Sequence, residues 1–174
     1  MALTKPLQTA ERITIRRAEL ADAPALLRLI VALADFEKLP PPDADAQKRL
    51  IADGFGHPSR FESWLGFWDA GNEPVAYALL FDTYSSFLAL PSLYLEDIFV
   101  LPDFRGKGIG TALLQHCIGL AQERGCGRME WTCLDWNTKA QVAYEQLGAS
   151  RMKEGLLYRM TREAMGKALS ARKR

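Results

Sequence analysis

Residues Leu93 to Leu114 read LYLEDIFVLPDFRGKGIGTALL. Leu93, Tyr94, Leu95, Ile98, Phe99 and Val100 are strand formers, and Pro102 and Asp103 bound them. Arg105, Gly106, Lys107, Gly108, Ile109 and Gly110 follow at once. Leu113, Leu114, Cys117, Ile118 and Ala121 then recur at helical spacing. The stretch predicts a buried strand, a tight basic turn and a helix. Three glycines at alternate positions let a ligand come close to the backbone. Unpaired N–H groups at a helix start, with the dipole behind them, favour an anion such as a pyrophosphate over Arg105–Thr111. Arg105 and Lys107 add fixed positive charge. Glu96 and Asp97 interrupt the strand just upstream. A phosphate cradle beside in-strand carboxylates predicts a cofactor held next to a base.

Outward from this stretch, the chain reads as one mixed α/β sheet with helices on both faces. Ile13, Ile15 and Ala18 predict a first strand. Asp22 as N-cap and Pro24 in the first turn open a helix with the stripe Leu26, Leu29, Ile30 and Leu33, which Pro40-Pro41-Pro42 breaks. A short helix is expected over Ala44 to Ala52. Phe61 to Trp68 and Pro74 to Phe81 read as strands joined at Ala70-Gly71-Asn72, with a longer connection over residues 82–92. After the central stretch come a strand over Arg128 to Leu134, a helix over Thr138 to Leu147 with Gly148 as its C′ residue, and a last strand over Gly155 to Met160. The organisation expected is an N-terminal arm at 1–11, one catalytic domain at 12–161 and a basic C-terminal tail at 162–174, partly helical from Thr161 onward.

Composition narrows the class. The 174 residues, 48% hydrophobic and 25% charged, suit one domain with a sizeable core. A net charge of +1 gives no global field for nucleic acid or a membrane. Cys117, Cys126 and Cys133 form no CxxC pair and no zinc pattern, and read as small buried thiols of a reducing compartment. Met1 to Glu11 lacks the apolar core of a signal peptide, and no apolar run approaches the ~20 residues of a membrane span. The cytosol is therefore the expected location. His57 and His116 are isolated, and the basic end Arg172-Lys173-Arg174 reads as solvated.

The candidate residues carry their own physical readings. The turn fits neither a Rossmann fingerprint, since Leu113 and Thr111 stand where a small residue is needed, nor a P-loop, since no Gly-Lys-Ser/Thr occurs. Glu96 and Asp97 are strand neighbours, so they are expected to point to opposite faces and not to pair. One then faces a cleft and the other a structural partner. Charge inside a Leu-Tyr-Leu…Ile-Phe-Val run is costly unless it is used. Tyr144, by spacing alone, is an aromatic on an amphipathic helix. Asn137 is a natural N-cap of that helix.

Arg105-x-x-Gly108-x-Gly110 after such a strand resembles the acetyl-CoA loop of the GNAT superfamily of N-acetyltransferases. Phe36-Glu37-Lys38-Leu39, Asp53-Gly54-Phe55-Gly56, Tyr94-Leu95-Glu96-Asp97-Ile98, Leu134-Asp135-Trp136-Asn137 and Tyr144 with Leu147-Gly148-Ala149 resemble the spermidine/spermine (diamine) branch. Within it they look most like the thialysine N-epsilon-acetyltransferases. The likeness covers roughly Ile13 to Met160, in order.

The resemblance implies a single-domain GNAT fold and an acetyl-CoA-dependent N-acetyltransferase acting on a primary amine of a small molecule. That amine would be thialysine-like, lysine-like or a diamine, attacking directly in a ternary complex with no metal. It implies Tyr144 as the acid that protonates the departing thiolate and Glu96 as the acceptor of the amine's proton. It assigns the cofactor to Ile98, Phe99, Val100, Arg105, Gly106, Lys107, Gly108, Ile109, Gly110, Thr111, Asn137, Ala140 and Tyr144. It assigns the amine to Phe36, Glu37, Glu96, Trp131, Thr132 and Glu154, and it implies a homodimer. The chemistry agrees at two points. An amine of pKa ~10.4 arrives protonated and needs a carboxylate to take its proton, and a phenol of pKa ~10 can donate one at neutral pH. Ser85 and Phe87 stand where the polyamine branch carries Asp and Trp, which disfavours long polyamines. Two rivals remain: acetylation of a protein or peptide amine, and a non-catalytic acyl-CoA sensor on the same fold.

Overall fold

Small and large residues alternate in the central strands, and this decides which helix covers which face. The computed structural model describes residues 12–153 and 155–170, and the chain groups into two compact units, 1–132 and 133–174. The first unit holds β1 (Ile13–Arg17), α1 (Ala23–Glu37), α2 (Ala44–Phe55), β2 (Glu62–Trp68), β3 (Ala76–Ser85), β4 (Leu90–Val100), α3 (Ile109–Glu123) and β5 (Arg128–Trp131). The second holds α4 (Thr138–Gln146) and α5 (Arg162–Ser170). The strands form one sheet in the order β1-β2-β3-β4-β5. Its first three pairings are antiparallel and β4–β5 is parallel. This is the mixed, mostly antiparallel α/β sheet expected from the sequence.

On one face Leu65, Phe67, Tyr77, Leu79 and Phe99 pack with Leu26 and Leu29 of α1. The alternate positions, Gly66, Ala76 and Ala78, open the other face to α3. A Cβ at Gly66 would stand 3.2 Å from Ala76 Cβ and 3.5 Å from Ile109 Cγ2. This close approach buries Ile109, Leu113, Leu114 and Cys117 of α3. Each fully buried side chain of this size contributes roughly 1.5–3 kcal/mol. Burial also pushes the Cys117 thiol up to about 12, so it stays protonated and unreactive. Cys126 and Cys133 are only half-buried.

Several expectations need correction. Asp22 does precede α1, and Pro24 sits in its first turn, but the Asp22 side chain makes no cap bond. It accepts from both terminal nitrogens of Arg16, at 2.7 and 2.8 Å, and from the Glu19 N–H. Those bonds, chiefly from Arg16, hold its carboxyl below the usual range. The short second helix runs on to Phe55, capped by Asp43. Residues 82–92 are not a long connection. β3 and β4 continue until Ser85 pairs with Leu90, and only residues 86–89 form the turn. Phe87 and Leu88 are exposed there and Pro91 lies in β4, so the apolar alternation that marks a strand is missing. β5 stops at Trp131, short of Leu134. No strand forms over the described residues of 155–160, where Leu156, Leu157 and Tyr158 are exposed. An isolated strand has no ladder to satisfy its backbone. The arm at 1–11, Glu154 and the basic end Arg172-Lys173-Arg174 lie outside the described residues.

Candidate active site

The turn after β4 is built for an open backbone. Pro102–Phe104 form one 3-10 turn, after which Gly106 (φ +75°) and Gly108 (φ +80°) take left-handed conformations. Residues with a Cβ rarely enter this region. A Cβ at Gly106 would meet nothing within 4 Å, so packing does not demand glycine there; the backbone path does. The first bond of α3 runs from the Ala112 N–H to the Gly108 carbonyl at 2.9 Å. The N–H groups ahead of it, through Ile109, Gly110 and Thr111, are therefore the free end of the helix. A pyrophosphate fits this end by charge and by donor set. Lys107 rests its ammonium 4.9 Å over Phe104 and 5.4 Å over Trp68. Arg105 turns back: its Nε donates to the Val100 carbonyl at 2.9 Å, and its guanidinium lies 4.3 Å over Phe36 and 5.4 Å over Phe99.

The acids upstream are arranged by a bulge. Tyr77 pairs with Phe99 and Leu79 with Asp97, but Leu80 pairs with Leu95 and Phe81 with Tyr94. β3 alternates without a break, so Glu96 is the extra residue of β4. The bulge shifts the pairing at these two residues; Asp97 is bonded to Tyr77 and Glu96 is exposed. Asp97 shares the face of Phe99 and Tyr77. Tyr77 donates its hydroxyl to Asp97 Oδ2 at 3.0 Å. Burial, opposed by that bond and reinforced by the charges of Glu96 and Glu37, pushes the Asp97 carboxyl up to about 6. The Tyr77 phenol is pushed far above its ordinary value by burial and by Asp97, Glu37 and Glu96. It remains a donor at any pH the fold survives.

The charges of Glu37 of α1 and Glu96 of β4 thus bear on Asp97 and on the buried phenol. Glu96 itself is exposed. Trp131 pairs with Leu95 across the parallel ladder, and Thr132 follows it just beyond β5.

In the second unit, Asn137 caps α4, its side chain accepting from the Ala140 N–H at 3.4 Å. The Gln141 amide ties the preceding loop by donating to the carbonyls of Leu134 and Asp135. Tyr144 lies on α4. Burial, and less so the nearby Cys133, pushes its phenol up to about 12. Gly148 takes φ +92° after the helix, as a C′ glycine does.

Phe36, Phe99 and Arg105, named from sequence, therefore meet in the first unit with Tyr77 and Asp97 beside Phe99, and the charges of Glu37 and Glu96 bear on that pair. Asn137, Ala140 and Tyr144 belong to the second unit. Sequence reasoning missed Tyr77. Its signal was a hydroxyl inside Val75-Ala76-Tyr77-Ala78-Leu79, an otherwise apolar run where a buried O–H needs an acceptor.

Residues 27–149 match the Acetyltransferase (GNAT) family. The chain is 36% identical over 160 residues to the thialysine N-epsilon-acetyltransferase of Mus musculus, covering 87% of this chain and 94% of that one. It is 44% identical over 91 residues to the L-ornithine N5-acetyltransferase of Arabidopsis thaliana, covering 52% of this chain and 40% of that one. Among solved structures, an integron cassette protein from the V. cholerae mobile metagenome matches with a TM-score of 0.78 at 21% identity, covering 91% of this chain and 98% of that chain; this is a likeness of fold. The matched span runs from α1 through the glycine turn to the end of α4. Sheet, turn and sequence therefore agree that the chain is an N-acetyltransferase belonging to the Acetyltransferase (GNAT) family.

Proposed function

We propose that this enzyme transfers an acetyl group from acetyl-CoA to the distal primary amine of a lysine-, thialysine- or ornithine-like small molecule. The observation that carries the reading is Asp97, bonded to the buried Tyr77 hydroxyl, with its carboxyl pushed up to about 6 first by burial and then by the charges of Glu96 and Glu37. Like charges gathered at a half-buried site are destabilising until a cation enters among them. A protonated amine is such a cation. The two amino-acid acetyltransferases among the relatives support the substrate class. Buried Ser85 adds to it. Its hydroxyl accepts from the Leu88 N–H, so no acid stands at that turn to hold a further polyamine charge.

Each residue has a task in this reading. The turn Arg105–Thr111 holds the pyrophosphate at the α3 terminus on its N–H groups, with Arg105 and Lys107 adding charge. Acetyl-CoA supplies the activated acetyl group. The N–H groups of Ile98, Phe99 and Val100 orient its carbonyl, and Asn137 and Ala140 border its arm. Glu96 binds the ammonium and accepts its proton, which frees the amine to attack directly in a ternary complex. Glu37, Phe36, Trp131 and Thr132 line the amine's path, and Tyr144 gives its proton to the departing thiolate. Residues 12–161 are the acetyltransferase domain in this reading, the location is cytosolic, and two chains form a homodimer.

The test is thiol release from acetyl-CoA with thialysine, lysine, ornithine, putrescine and spermidine, on protein whose mass is read by light scattering. A dimer is expected, with kcat/KM for thialysine above that for spermidine. A ratio clearly below one returns the chain to the polyamine branch, and turnover of none of the five amines removes the reading.

A further inference from the structure

The bulge in β4 leaves a choice between two acids. Leu80 pairs with Leu95 on one side of it and Ala78 with Ile98 on the other. Between them β3 offers Leu79, whereas β4 offers Glu96 and Asp97. Asp97 takes the place opposite Leu79, and Glu96 is left over and exposed. Moving the extra residue one place, to Asp97, would keep both flanking pairs, so the backbone ladder alone does not choose between the acids. The side chains do. Leu79 is 6% exposed and belongs to the core with Tyr77 and Phe99. A carboxylate brought to that place is costly unless something bonds it. Tyr77, fully buried and paired with Phe99, carries a hydroxyl that needs an acceptor. It donates to Asp97 Oδ2 at 3.0 Å across the ladder. A glutamate at the same place, one methylene longer, would have to fold back to accept that bond. The bond satisfies two buried groups at once and favours the register in which Glu96 stands out of the core.

We propose that Tyr77 is a positioning residue for acetyl transfer: by holding Asp97 it fixes the bulge at Glu96, and so sets where the Glu96 carboxylate meets the amine. The inference rests on the acetyl-transfer reading above, with Glu96 as the proton acceptor. It extends that reading to a residue of β3 that is itself buried beyond a substrate's reach.

The test is a double-mutant cycle on kcat, with the amine the enzyme turns over best, at a temperature where circular dichroism shows every variant folded. Tyr77→Phe keeps the ring and removes the bond. It is expected to lower kcat about tenfold or more, towards the ~10²-fold that a misplacement of about 1 Å can cost. In a Glu96→Gln background the proton acceptor is already lost, and there Tyr77→Phe is expected to change kcat by less than about threefold. A purely structural role lowers kcat by the same factor in both backgrounds, and that result overturns the inference while acetyl transfer stands. So does an undiminished kcat in Tyr77→Phe. If Glu96→Gln itself leaves kcat unchanged, the proton-acceptor assignment falls and the inference falls with it. Should Tyr77→Phe fail to fold, Asp97→Ala breaks the same bond from the other side and carries the cycle. Asp97→Asn still accepts from the hydroxyl and is expected to lose less than Asp97→Ala; equal losses would assign the effect to the charge and overturn the inference. If the wild-type protein transfers to no amine, hydrogen exchange decides. Faster exchange of the amides of Glu96, Asp97 and Ile98 in Tyr77→Phe, with the rest of the sheet unchanged, supports the pinned bulge, and unchanged exchange overturns it.

Discussion

A phenol can protonate a leaving thiolate only while it holds its proton, and the surroundings of Tyr144 secure that. Burial first and Cys133 second push it up to about 12, so it is fully protonated across the neutral range. Tyr144→Phe keeps the ring and removes only the proton. Acetyl-CoA affinity by calorimetry is expected to hold, while turnover falls about 10²–10⁴-fold, the usual worth of a general acid. Turnover within about threefold of wild type would make Tyr144 a packing residue. At this scale Glu96, Glu37 and Tyr144 are picked out by the resemblance to the family's motifs, since by spacing alone Tyr144 is one more aromatic on an amphipathic helix. Asp97 was placed as a structural partner, and its bond to Tyr77 bears that out. Its coupling to Glu96 was hidden, because a bulge depends on how β4 registers against β3, some twenty residues away in the chain.

The elements were legible where one signal fixed both ends. Strand, glycine turn and helix around Arg105–Thr111 lie contiguous in sequence, and they fold as they read. The β3–β4 hairpin was not legible, since Phe87 and Leu88 are exposed and Pro91 sits within a strand. Residues 155–160 read as a strand because Leu156, Leu157 and Tyr158 are strand formers, yet propensity supplies no partner edge. The glycine turn yields the test of the cofactor site. Gly108→Val puts a branched side chain at φ +80° ahead of α3. The acetyl-CoA dissociation constant is expected to rise about tenfold or more, or ~1.4 kcal/mol. Gly125→Val is the control. It imposes the same left-handed strain, at φ +66° with open space around it, away from the turn. If both variants bind acetyl-CoA as the wild type does, the turn is not the cofactor site. If both lose affinity together, strain alone explains the change.

Across the whole molecule, the acids tie stability to function. A carboxyl pushed up to about 6 holds its proton in the folded chain where the unfolded chain has already released it. Below about pH 4 both states carry the proton, and Asp97 adds no cost. As pH rises from there to about 6, ionising Asp97 costs stability, chiefly because it is buried and further because Glu96 and Glu37 bear on it. Above 6 the full cost stands, up to about 3 kcal/mol. This is the reverse of a salt-bridged acid, which stabilises as it ionises. Asp97→Asn removes the charge and still accepts from the Tyr77 hydroxyl. It is therefore expected to melt several degrees above wild type at pH 8, at roughly 2–4 °C per kcal/mol, with the gain vanishing at pH 4. The measurement is a pair of thermal melts at each pH. A difference equal at both values would assign the effect to packing, and a variant less stable at pH 8 would show that the acids do not strain the fold. On the proposed reading, an entering ammonium offsets part of that cost. Lysine or ornithine should therefore raise the melting point of the wild type at pH 8 more than that of Asp97→Asn. A fold that buries a carboxyl close to the charges of two further acids gives up stability once that carboxyl ionises, and on the proposed reading a bound cation recovers part of it.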